Sequence, residues 1–139
     1  MIENIYSGKI LMAILLKSYF KKKGVNFFTE NSNFLQLGYM EHNKGKIIKP
    51  HKHTIVKRSV DITQECLFIR KGKLQVDFYT PKNEFLCSRI LEEKDTLLIL
   101  SGAHGFKVIE DLEMVEIKQG PYFDDKVFIR TANKHVSIK

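Results

Sequence analysis

The sequence predicts an all-β sandwich or barrel with little helix. Apolar residues recur mostly with period two: across Lys73–Tyr79, Leu74, Val76 and Phe78 share one face, and Gln75, Asp77 and Tyr79 share the other. The apolar segments are short and end in turn residues. The chain has 139 residues, 43% hydrophobic and 28% charged, which fits one domain with its own core and excludes a disordered chain.

Taken in order, the first strand falls on the longest apolar run, ILMAILL at Ile10–Leu16. A helix over the same residues competes with it. A strand over Lys9–Lys17 is preferred, and Gly24 would stop either element. GVNFFTE, NFLQLGYM and GKIIKPHKH read as further strands. KLQVDFY and EFLCSRIL flank the turn TPKNE, whose Pro81 and Asn83 suit a hairpin. DTLLIL is a short buried strand, with GFKVIE and LEMVEIK close behind it. From Tyr122 onward the chain is polar and reads as irregular structure, with one short strand at Lys126–Arg130. The organisation is a single domain over 1–139, with strands in 1–35, the core in 36–118 and a tail in 119–139.

The run Ile10–Leu16 is far too short to cross a bilayer, which needs roughly 20 apolar residues. The start MIENIYSGK lacks the basic opening and small-residue cleavage site of a secretory leader. A cytoplasmic protein with no membrane partner is expected. Cys66 and Cys87 are then free thiols in or near strands. The net charge of +7 is spread over scattered lysines, and Lys21–Lys23 is the single run, read as a solvated face. No arginine-rich strip or aromatic RNA-binding signature appears, so no nucleic-acid partner is expected. Such charge favours a phosphorylated or carboxylated small molecule.

The histidines carry the chemistry. On a strand, His51 and His53 would point to the same side, as chelation requires. By itself this pair is a weak signal. Its context strengthens it: Gly45 precedes it, Glu65 and Gly72 follow, and His104 comes just after Gly102. Three imidazoles and a carboxylate suit first-row divalent ions. His42 and His135 stand outside this pattern and read as surface residues.

These residues resemble the two motifs of the cupins. The first reads Gly45–KIIKP–His51–Lys52–His53, then Glu65–CLFIRK–Gly72. The second reads EKDTLLILSGAHGF, with Asp95, Gly102 and His104. The likeness covers about Gln36 to Lys118. It departs from the cupin pattern in three places. Eleven residues separate His53 from Glu65, where cupins commonly have only a few. Lys94 replaces the expected glycine, and the second motif lacks its proline. The placement of Glu65 rests on its distance to Gly72.

The resemblance implies a cupin-type double-stranded β-helix, a jelly-roll barrel. It implies one divalent metal ion per chain (Fe, Mn, Ni or Zn) held by His51, His53, Glu65 and His104. The stretches around LGYM, TQE and KQGPY are similar to small single-domain cupins of bacterial surface-polysaccharide and sugar-nucleotide synthesis. That context implies a small-molecule ligand, a sugar or sugar derivative, and Lewis-acid chemistry such as isomerisation or epimerisation. An Fe(II) dioxygenase and a non-catalytic ligand-binding module are the alternatives. A metal-free epimerase with a His base, carboxylate partner and Tyr acid suits the four-residue set poorly. Gln36 and Tyr122 are candidates for contact with the substrate. Cupins commonly pair, and ILMAILL could add a strand to a second copy in a homodimer.

Overall fold

The structure, a computed structural model, describes residues 1–131, so His135 and the end of the tail lie outside the described residues. It is all-β, with no helix among those residues. The strands are β1 (Ile2–Ser7), β2 (Ile10–Leu16), β3 (Gly24–Phe27), β4 (Gly38–Glu41), β5 (Glu65–Tyr79), β6 (Phe85–Leu91), β7 (Thr96–Ile99) and β8 (Ala103–Lys118). Six of them form one antiparallel sheet in the order β1-β2-β7-β5-β6, with β8 on the remaining edge of β5. The sheet curls into a half-barrel, and β3 and β4 form a separate pair.

β5 explains the curl. Its first residues pair with β7 and its last with β6, while β8 follows it along the other edge from Glu65↔Lys118 to Tyr79↔Ala103. The β5–β8 ladder slips between Ile69 and Leu74. Such irregularities add residues to one strand and bend it. Before the slip the buried side chains are odd-numbered, Leu67 and Ile69. After it the side chains in the main core are even-numbered, Leu74, Val76 and Phe78. At the bend Gly72 has φ +86°, and a Cβ there would lie 2.0 Å from the Asp111 carbonyl oxygen. Only glycine meets both demands. β5 therefore serves two layers, and the main core fills the space between them, with Met12, Leu15, Leu91 and Leu97 joining the β5 residues.

β2 confirms the strand reading of ILMAILL and explains its unbroken apolarity. It runs between β1 and β7, and Met12 and Leu15 face the main core. Ile14 packs on the opposite face with Leu37, Leu98 and Leu100, under the 28–37 loop. A strand covered on both faces needs no polar alternation. Both of its edges are used, so ILMAILL is not a free strand that could pair with a second copy.

Other readings need correction. GFKVIE and LEMVEIK are one continuous strand, β8. The strand in NFLQLGYM is confined to Gly38–Glu41. Gly24 opens β3 rather than closing an element, and β1 was not foreseen. GKIIKPHKH and Lys126–Arg130 form no strand, because neither finds a neighbouring ladder. Gln75, Asp77 and Tyr79 are buried like the face opposite them. Gln75 Nε2 donates to Asp77 Oδ1 at 2.8 Å, and the Ser88 hydroxyl donates to the same oxygen.

Candidate functional site

Glu65 opens β5, and His104 pairs with Phe78 near its other end. Along an extended ladder those positions would lie about 40 Å apart. Yet His104 Nε2 stands 3.1 Å from Glu65 Oε2. The bend causes this approach. Glu65 shares the face of Leu67 and Ile99, and His104 that of Phe78, so both point between the layers and meet across them. Their side chains are 16% and 22% exposed, sheltered but reachable.

The His104 ring donating to Glu65 holds the Glu65 carboxyl below its ordinary range, against a smaller opposing effect of burial. The charges of Lys118 and Lys126 act in the same direction. Phe106 packs beside the His104 ring, with centroids 5.1 Å apart. His104 Nδ1 is buried and has no hydrogen-bond partner. A buried polar nitrogen without a partner is costly, and such atoms often mark a site for a ligand or ion.

His51 and His53 lie elsewhere. Residues 42–64 form a long irregular connection, exposed along most of its length, that carries His42 as well. The two rings are neighbours, with centroids 5.5 Å apart, and His51 Nδ1 lies 2.9 Å from its own chain at the Lys49 carbonyl. The structure thus brings Glu65 and His104 together and keeps the His-x-His pair together, but does not unite the two pairs. Among the described residues, no three His, Cys, Asp or Glu side chains gather as a metal would require. The donor chemistry of the four residues fits a divalent ion. The convergence of all four would require the 42–64 connection to close on the half-barrel.

The remaining motif residues have structural roles. Asp95 is fully buried and accepts from Lys17 Nζ and from the backbone N–H groups of Ser18 and Glu92, both at 2.8 Å. It locks the β6–β7 turn against the end of β2. Lys94, where cupins have glycine, has φ +68°, the conformation that glycine would adopt freely. Gly102 has φ +77°, and a Cβ there would strike the Met12 methyl at 2.0 Å. The Gln36 amide accepts from Thr29 Oγ1 at 2.7 Å and donates to the carbonyls of Glu30 and Asn33, closing a surface loop. Cys66 and Cys87 are free and half-buried, and burial pushes both thiols up.

Tyr122 lies on the rim of a cleft of about 430 Å³ between residues 60–63 and 118–126. Sequence reasoning missed the rest of this lining, because only the folding back of the tail assembles it. Gln119 N–H donates to the Gln64 carbonyl at 3.1 Å, and Thr63 Oγ1 donates to Asp125 Oδ2 at 2.6 Å. Among the described residues, no helix is long and apolar enough to cross a membrane. No protein family, curated protein or solved structure matches the chain.

Proposed function

We propose that the chain is a cupin-type double-stranded β-helix protein. In this reading it holds one divalent metal ion through His51, His53, Glu65 and His104. It acts on a small polar molecule, a sugar or sugar derivative of bacterial surface-polysaccharide synthesis, as a cytoplasmic homodimer. The observation that carries the reading is the meeting of Glu65 and His104 across the two layers, with a buried, unpartnered nitrogen on the His104 ring. A divalent ion bound there would polarise a carbonyl or hydroxyl oxygen of the substrate. Glu65, already held as the carboxylate, is in the protonation state that a cation needs.

Charge supports closure of the connection. Residues 44–58 carry Lys44, Lys46, Lys49, Lys52, Lys57 and Arg58 and no acid, whereas β8 carries Glu110, Asp111, Glu113 and Glu116 against Lys107 and Lys118, with Glu110 paired to Lys73 and Glu116 to Lys118. β8 pairs only with β5, so its other edge is free among the described residues. A basic segment attracted to an acidic free edge would bring His51 and His53 toward the Glu65–His104 pair.

Elemental analysis of protein purified without added metal or chelator tests the proposal. About one ion per chain is expected, falling sharply in His51→Ala and His53→Ala. Saturating metal, at about one hundred times its dissociation constant, should stabilise the wild type by about 2.7 kcal/mol and leave the double variant unmoved. Metal-free protein that stays metal-free on titration, with His51→Ala behaving as wild type, would sink the idea. The 3.1 Å His104–Glu65 contact also favours a second reading, a metal-free acid–base pair. There, activity would survive chelation and the loss of His51 but fail in Glu65→Gln.

A further inference from the structure

The cleft between residues 60–63 and 118–126 has the chemistry of a saccharide site. Its volume, about 430 Å³, lies within the range of small-molecule pockets. Tyr122 and Phe123 sit side by side on its lining and are 79% and 71% exposed. Tyr19, Phe27 and Phe128 are exposed too, but Tyr122 and Phe123 line a cleft, where their faces suit the C–H face of a sugar ring. Gln119, in the same lining, has a buried side-chain oxygen with no hydrogen-bond donor. That oxygen lacks an O–H or N–H group, which a ligand could supply.

The charged groups narrow the class. Asp61, Asp124 and Asp125 add acceptors for hydroxyl protons, and Lys118 and Lys126 add donors. Lys118 also reaches Glu116 at 3.3 Å, so its charge is shared. The mixture of acids and lysines is poorly suited to a strongly charged ligand such as a nucleotide, whose phosphates would meet three aspartates. It suits a neutral or weakly acidic polyol. Lys118, in the lining, pairs with Glu65 across the β5–β8 ladder, so the cleft adjoins the Glu65–His104 pair.

We propose that this cleft binds a monosaccharide unit, stacked on Tyr122, the more exposed of the two rings, and donating a hydroxyl to Gln119 Oε1. The assignment rests on the proposed function for its catalytic meaning, since it seats the substrate beside the pair, but binding itself needs no metal.

The test is saturation-transfer NMR on the full chain with N-acetylglucosamine and with glucuronate, each with and without chelator. Transfer to ring protons of at least one probe is expected, with and without chelator. Gln119→Leu and Tyr122→Ala should each weaken binding about fivefold to tenfold while the denaturation midpoint stays put. Absence of transfer to both probes overturns the assignment, and so does transfer unchanged in both variants. Sugar binding without any metal uptake would sink the metal reading alone. Metal uptake without sugar binding would sink this one alone.

Discussion

Residues 42–64 and residues 65–79 adjoin in the chain, and both carry motif glycines and apolar residues. They end in opposite states. The second stretch is β5, paired along both edges and packed in the core. The first is irregular, with Ile47, Ile48 and Ile55 largely in solvent. The difference lies in what covers them. β5 has β8 on one edge and β7 and β6 on the other, so its apolar face is buried wherever the ladder runs. Apart from its last residues, which meet the 119–125 stretch, the 42–64 segment pairs with no strand, and without a ladder a strand gains neither hydrogen bonds nor burial to offset its ordering.

This contrast can be broken or sharpened by experiment, and the largest effect should fall at Asp95. Asp95→Ala strips the nearer partner from half-buried Lys17 and the acceptor from two backbone N–H groups, and should cost about 3–5 kcal/mol in urea unfolding. His51→Ala and His53→Ala, on the exposed connection, should stay within about 0.5 kcal/mol in metal-free protein. A large cost there would show that the connection packs after all.

Gly72 and Gly45 give a cleaner pair. Their φ values are nearly equal, +86° and +87°, but a Cβ meets backbone only at Gly72. Gly45→Ala should cost about 1–2 kcal/mol, the conformational penalty alone. Gly72→Ala should cost about 1–3 kcal/mol more, because the Asp111 backbone must move. Equal costs would mean that the bend yields easily.

Lys94→Gly is a smaller test, in the opposite direction. It relieves a left-handed backbone at an exposed turn and should stabilise by about 0.5–1 kcal/mol.

Acid titration gives the last. The Glu65 carboxyl lies below its usual 4.5 in the fold because His104 donates to it. A lowered carboxylate contributes stability above its unfolded value, and loses it as pH falls through the folded one. Between about pH 5 and pH 3 the wild type should therefore lose more stability than Glu65→Gln. Parallel curves would show that the contact contributes nothing.

The strands that alternate or are uniformly apolar were legible in sequence, Ile10–Leu16 and Lys73–Tyr79 above all. So was the hairpin turn: Asn83 has φ +63° and its N–H donates to the Thr80 carbonyl at 2.8 Å. The bend was not, because periodicity marks a face but not the residue at which it changes. Nor did KPHKH reveal its lack of a partner, since its own pattern is a good strand. Glu65 and His104 were found through motif spacing, and their contact needed the curl. Gln119 and Phe123 gave no signal, since a buried orphan oxygen exists only once the tail has folded back.

The slip in β5 also sets where this chain can change length. Losing one residue at the corner would exchange Leu74, Val76 and Phe78 with Gln75, Asp77 and Tyr79, and put polar groups into the main core. The corner therefore cannot change length without disrupting that core. The 42–64 connection has no register to lose and can lengthen freely. The eleven residues between His53 and Glu65 lie in this connection, where a change of length disturbs no strand register.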